Sequence, residues 1–325
     1  MTNSHFLYAG LGLMITLIIT FMSMPMLIKY FREKQLGQTT KEIGPTWHHQ
    51  KDGTPTMGGV AFLIATVISL LGFTLFTDLF SPIIWLLLFL VIFFGAIGFV
   101  DDYIILILKR NDGLSSKQKF ALQVLGGLIF SVAYQWLGLS TELYVPILGT
   151  VDWPIIYGVF TTVWIVGFSN AVNLTDGLDG LSSSTTIVTL IGLMVVAFSQ
   201  GQIESELLTA TLIGGLLAFL YYNKKPAQIF MGDVGSLSLG AVVAGLSIVL
   251  KVEWLLLLFG LVYVLETASV MIQVASYKAT GKRVFKMAPI HHHFEMSGYT
   301  ETQVVIGMVI LAIIANVIGL FIYFN

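Results

Sequence analysis

Residues 83–100 read Ile-Ile-Trp-Leu-Leu-Leu-Phe-Leu-Val-Ile-Phe-Phe-Gly-Ala-Ile-Gly-Phe-Val, and the run closes on Asp101-Asp102. A helix crosses the hydrocarbon core of a bilayer with about 20 such residues, so the stretch reads as a membrane span with two acids at its mouth. Working outward, the chain holds ten runs of this kind, at about 7–28, 60–76, 83–100, 120–137, 153–168, 181–198, 207–222, 234–250, 254–272 and 303–324. Of the 325 residues, 56% are hydrophobic and 10% charged, where a soluble domain carries about a quarter charged residues. That balance excludes a water-soluble domain, and it excludes disorder, which requires a shortage of apolar surface. Cysteine is absent, which removes disulfides, thiolate metal sites and a cysteine nucleophile. A net charge of -2 gives no field that would draw nucleic acid. The expected fold is an all-α integral membrane protein, one polytopic domain over residues 1–325.

Basic residues orient the spans. The loops at 29–59, 101–119, 169–180, 223–233 and 273–302 carry 5, 4, 0, 2 and 4 Lys and Arg, and the alternate set carries only Lys251. The positive-inside rule makes the first set cytoplasmic, and an even number of spans then puts both termini outside. The opposite loops are short and acidic and read as plain connections, so the chemistry is expected in the cytoplasmic loops.

Four clusters in those loops stand out. Asp101 and Asp102 are adjacent carboxylates facing the negative end of a helix macrodipole, an unfavourable placement that a divalent cation would relieve; the plainer reading is a solvated helix end. In Asn173-Leu-Thr-Asp176-Gly-Leu-Asp179-Gly180 the polar residues recur every third position, which would stack them on one helix face, although Asn, Asp and Gly also form turns. Asp233, in Phe230-Met-Gly-Asp-Val-Gly-Ser236, reads as the N-cap of the following span. Met287-Ala-Pro-Ile-His291-His292-His293 follows four basic residues and can offer ring donors to phosphate or substrate oxygens, while basic residues there also suit anionic lipid. Lys51 ends the first loop, Lys117 and Lys119 read as snorkelling at a span start, and Glu266 is an acid inside the ninth span, costly without a role. Carboxylates for a hard metal together with lysines for phosphates are what phosphoryl transfer requires, and Mg2+ suits the oxygen donors best. An ion-coupled transporter is the competing class, but its ionisable groups would sit near the midplane.

The motifs Thr54-Pro-Thr-Met-Gly-Gly59, Asp101-Asp-Tyr103, Gly113 to Lys119, Asn173 to Gly180, Phe230 to Ser236 and Ala288-Pro-Ile-His-His-His293 resemble those of the phospho-N-acetylmuramoyl-pentapeptide-transferase family, over essentially the whole chain. The resemblance implies ten transmembrane helices in a bacterial plasma membrane and a cytoplasmic active site. It also implies Mg2+-dependent transfer of phospho-MurNAc-pentapeptide from its UDP conjugate to undecaprenyl phosphate, giving lipid I and UMP. By the same resemblance Asp233 is the principal metal ligand and Asp101 and Asp102 are the catalytic pair, as base or as further ligands. Lys117 lies near the phosphates, and Asn173, Asp176 and Asp179 lie on the uridine and sugar side, with Asn223 counted among the binding residues. Phe230 stacks on uracil, Lys51 and Gln273 contact the nucleoside, and His291 and His292 are catalytic or substrate-binding. The related transferases of N-acetylglucosamine-1-phosphate share the acidic motifs but differ at the histidine loop. The sequence does not give the oligomeric state; a homodimer is one option.

Overall fold

The structure, a computed structural model, describes residues 2–34, 36–37, 51, 53–77, 81–108, 113–145 and 149–325. His48, His49, Lys109 and Arg110, basic residues of the first two cytoplasmic loops, lie outside them. The described chain is almost entirely helical: α1 Thr2–Glu33, α2 Gly59–Phe76, α3 Pro82–Leu106, α4 Ser116–Trp136, a hairpin of β1 Glu142–Val145 and β2 Gly149–Asp152, then α5 Pro154–Thr175, α6 Leu181–Gln200, α7 Ile203–Asn223, α8 Gly232–Val249, α9 Leu256–Phe259, α10 Leu261–Thr280, α11 Ile290–Glu295 and α12 Glu301–Phe324. Eight of these helices are long and apolar enough to cross a membrane. The protein is therefore a multi-pass membrane protein. α4 and α10 are helices of 21 and 20 residues at the two remaining expected positions, but they are less apolar.

Burial ranks the helices. In α8, 89% of the apolar window is buried, against 28% in α1 and in α12. α8 is thus the axis of the bundle and the other two are on its rim, where Ile306, Ile310, Ile313 and Val317 stand exposed as lipid-facing side chains do. Small residues let helices close on that axis. Gly98 of α3 abuts the backbone of Asp233 and Val234 in α8, with no room there for a Cβ. Gly240 of α8 abuts the backbone of Phe168 and Ser169 in α5 in the same way. Ser238 adds a bond from its hydroxyl to the Val91 carbonyl at 2.9 Å.

Three local expectations change. α3 does not stop at Val100 but runs to Leu106, because Tyr103, Ile104, Ile105 and Leu106 prolong the apolar helix; the acidic pair lies within its last turns. The ninth span is not one helix: it breaks at Gly260, between a four-residue turn and α10. α10 then reaches Thr280, so Gln273 and Lys278 lie on a helix rather than in a loop. The β hairpin at the far end is locked by Lys251, whose ammonium donates to the carbonyl of Glu142 at 2.6 Å and to the Tyr157 hydroxyl at 2.9 Å.

Candidate active site

The site forms where α3 and α5 end and where α4, α6, α8 and α12 begin. Carboxylate oxygens of Asp101, Asp102 and Asp233 lie within 4.8 Å of one another. The Gly98 contact creates this meeting by drawing the last turns of α3 onto the first turn of α8. Asp102 then accepts from the backbone N–H of Val234 at 3.1 Å. The acid at the negative end of one helix is thereby seated on the positive end of another, which offsets the unfavourable dipole of its own. Asp101 accepts from the backbone N–H of Leu114 at 2.9 Å.

Asp233 does not cap α8. The helix already starts at Gly232, whose φ of +76° is open to glycine without cost and whose Cα faces an Asp102 oxygen. Asp233 sits in the first turn and its carboxylate is free of capping duty. Asn173 donates to its Oδ1 at 2.7 Å and to the Ser236 hydroxyl at 2.9 Å. Lys119 donates to its Oδ2 and lies 3.7 Å from Asp101.

Lys119, and not Lys117, is the lysine that meets the acids. Ser115 and Gln118 form a reciprocal capping box that fixes where α4 starts. Two residues along a helix are turned about 200° apart, so the turn that aims Lys119 at the acids leaves Lys117 exposed. The snorkelling reading of Lys119 fails for the same reason. The capping signal was present in the sequence; the direction of the lysine needed the helix start.

Asn173, Asp176 and Asp179 do not share a helix face. α5 ends at Thr175, and Gly180 at φ +78° turns the chain into α6. Asn173 is kept by Asp233. Asp176 is half-buried; burial pushes its carboxyl up to about 7, with the charges of Asp233 and Asp179 adding to the effect. Asp179 is buried and accepts from Lys51 at 2.6 Å and from the Ala227 N–H at 3.0 Å. Lys51 also donates to Glu301 at 2.5 Å, and Glu301 accepts from the Asp179 N–H at 2.8 Å and pairs with Lys225 at 3.0 Å. Burial opposes the Lys51 charge, but the bonds to Asp179 and Glu301 outweigh it and hold the ammonium above the usual lysine range. Glu301, missed in the sequence, is a capping-region acid of α12 and carried no signal separating it from any other helix-start glutamate.

Two expected binding residues are spent within the protein. Asn223 is 2% exposed; its oxygen accepts from the Gly180 N–H and the Ser183 hydroxyl, and its NH2 donates to the Ile229 carbonyl. It ties the start of α6 to the loop carrying Phe230. Gln273 accepts from the N–H groups of Val284 and Phe285 and donates to the Phe285 carbonyl, folding the basic loop back on α10. Phe230 is held in place by backbone bonds to Pro55 and Gly58 at 2.8 Å. Its ring is partly exposed, with the Lys51 ammonium 6.0 Å from its centroid.

The three histidines of α11 take different partners, although the His291 and His292 rings meet edge-on at 4.1 Å. His291 is buried and its Nδ1 meets Glu266 at 3.0 Å. His292 meets Glu295 at 2.8 Å. His293 Nδ1 accepts from the Lys286 N–H at 3.1 Å. A six-residue helix points consecutive side chains about 100° apart, so the three rings are not one ligand set. Glu266, read as deep in a span, lies in α10 and meets His291 of this cluster.

Apolar helices around a cluster of carboxylates and a lysine define a membrane-embedded class of protein equipped to bind a hard cation and phosphates. The model of glycosyl transferase family 4 matches residues 84–251, and signature 1 of the phospho-N-acetylmuramoyl-pentapeptide-transferases matches residues 51–63. The phospho-N-acetylmuramoyl-pentapeptide-transferase of Latilactobacillus sakei is 48% identical over 96% of this chain and 97% of its own. That of Enterococcus faecalis is 49% identical over 90% and 91%, and that of Staphylococcus saprophyticus 47% over 95% and 97%. The chain belongs to the phospho-N-acetylmuramoyl-pentapeptide-transferase family.

Proposed function

We propose that the protein transfers phospho-MurNAc-pentapeptide from UDP-MurNAc-pentapeptide to undecaprenyl phosphate, at the cytoplasmic face of a bacterial plasma membrane that the chain crosses ten times. The observation that carries this reading is the three-carboxylate cluster with Lys119 between Asp101 and Asp233. An oxygen of the lipid phosphate attacks the β-phosphorus of the UDP-sugar, the anhydride bond to the α-phosphate breaks, and UMP leaves with the electron pair. The products are lipid I and UMP. One anhydride replaces another, so the barrier rather than the driving force is the problem. At about 4 Å two like unit charges repel by several kcal/mol at an effective dielectric near 20.

The donor set fits Mg2+: three carboxylates, with no nitrogen or sulfur among the donors. Asp101, Asp102 and Asp233 would hold the ion, and when bound it supplies positive charge to the phosphates and the leaving group. The remaining work belongs to the chain. Asn173 orients Asp233. Lys119 brings an ammonium beside the phosphates. Asp101, which faces Lys119, would be the member of the pair that meets the reacting groups, while Asp102 is seated on α8. Phe230 offers its ring to uracil, with Lys51 and Asp176 at the same end, and His292 offers its ring to substrate oxygens. The lipid phosphate already lies at the interface, so a site at the helix ends meets it in two dimensions.

The test is UMP release by the full chain in nanodiscs, with UDP-MurNAc-pentapeptide or UDP-N-acetylglucosamine, with and without undecaprenyl phosphate and EDTA. Release with the first donor only, dependent on lipid and abolished by EDTA, is expected. Release with the second donor instead would make it an N-acetylglucosamine-1-phosphate transferase. Solute uptake into proteoliposomes without UMP release would make it a carrier.

A further inference from the structure

We propose that Glu266, His291 and Gly177 form a buried brace that sets the pose of the 176–180 turn, so that His291 is a positioning residue and not one that touches substrate. The inference rests on the transferase reading of the site. Glu266 and His291 are 0% and 1% exposed. One oxygen of Glu266, Oε2, lies 3.0 Å from His291 Nδ1 and 3.4 Å from its backbone N–H. Two bonds from one residue to one oxygen fix the ring about its χ angles. Glu266 Oε2 accepts and Nδ1 donates, which turns Nε2 to the opposite side of the ring.

His291 Nε2 has no hydrogen-bond partner among the described residues. It rests against Gly177, where any Cβ would collide with Nε2 and Cε1. The opposite tautomer would bury an N–H without an acceptor, which costs more than burying an imidazole lone pair. Glu266 therefore selects both the tautomer and the angle of the ring. α10 is itself fixed one turn earlier, where the Tyr263 hydroxyl donates to Thr186 of α6 at 2.9 Å. On the other side of the ring, Gly177 lies between Asn173, which holds Asp233, and Asp179, which holds Lys51. A shift of the imidazole is passed directly to Asp176 and Asp179. The three-carboxylate cluster is anchored separately, by Val234 and Leu114. The brace thus governs donor-substrate affinity more than the chemical step.

The experiment uses the full chain in nanodiscs and reads kcat and KM for UDP-MurNAc-pentapeptide, together with melting temperature. Gly177→Ala and Glu266→Ala are expected to raise KM by at least about tenfold with kcat within about threefold. Glu266→Gln, which still accepts from Nδ1–H, recovers most of the affinity. His291→Ala empties the space the methyl needs, so Gly177→Ala/His291→Ala is expected to be no worse than His291→Ala alone. That non-additivity is expected in KM and in melting temperature. Fully additive effects, or a His291→Ala variant that loses kcat with KM unchanged, would overturn the brace. A 15N spectrum of histidine-labelled wild type needs no variant: the Nδ1–H tautomer at His291 supports the proposal and the Nε2–H tautomer refutes it. If UMP release were absent altogether, the transferase reading would fall, while the tautomer and the melting-temperature coupling would still report on the brace.

Discussion

The carboxylate of Asp102, near the end of α3, accepts a hydrogen bond from the backbone N–H of Val234 in the first turn of α8 at 3.1 Å. Everything at the site depends on this seating. It places two acids from one helix beside a third from another and lets the start of α8 offset part of their repulsion. Lys119 offsets a further part of it from α4.

The helix approach at Gly98 is the first point of test. A Cβ there would collide with the Asp233 backbone, so Gly98→Ala must push α3 from α8. We expect a loss of about 1–3 kcal/mol of stability and a loss of turnover well beyond what that destabilisation explains. Differential scanning of the purified variant beside its UMP-release rate checks this; near-wild-type turnover would show that the acids reach each other by another route.

Asp233→Asn should insert and fold but lose Mg2+-stimulated turnover by at least about 100-fold. The amide still pairs with Asn173, so the α5–α8 contact survives. Titration of Mg2+ into wild type and variant, followed by activity and by melting temperature, separates lost metal binding from lost fold. Undiminished Mg2+ response in the variant would remove Asp233 from the metal site.

Lys119→Met and Lys117→Met form a matched pair. The first removes the ammonium between Asp101 and Asp233 and should cost about 100-fold or more in kcat/KM; the second removes an exposed side chain and should cost a few-fold at most. A larger effect at Lys117 would mean that α4 starts in a different rotation in the working protein.

Asp176 makes metal-free stability depend on pH. Its folded value of about 7 lies above the 3.8 of an ordinary aspartate. Between those values the folded state binds the proton more tightly, so stability is greatest at the acid end and falls as pH rises through about 7. Wild type with EDTA should therefore lose more melting temperature between pH 5.5 and 8 than Asp176→Asn does. Equal slopes for the two would contradict the burial of this carboxyl.

Lys51 closes a network with Asp179 and Glu301. Lys51→Met leaves buried Asp179 without its cation and Glu301 with Lys225 alone, and should cost about 3–5 kcal/mol, measured by denaturation in detergent, together with a higher KM for the UDP-sugar. Phe230→Ala should weaken UDP-sugar binding in calorimetry while leaving Mg2+ binding unchanged; an unchanged dissociation constant would remove the stacking role.

Apolar runs such as 83–100 and the identity of the acids were readable from the chain alone, because the bilayer imposes a length and a polarity on every span independent of its neighbours. The family, too, was readable in contiguous motifs such as Phe230 to Ser236. What the chain alone could not supply was direction. Lys119 rather than Lys117 faces the acids, Asn223 and Gln273 turn inward to hold loops, and Glu266 pairs with His291. Each outcome depends on where a helix starts, where it breaks and which neighbour lies one packing distance away. Those quantities are set by contacts such as Gly98 on Asp233 and Gly177 on His291, between residues far apart in sequence, and only the folded bundle fixes them.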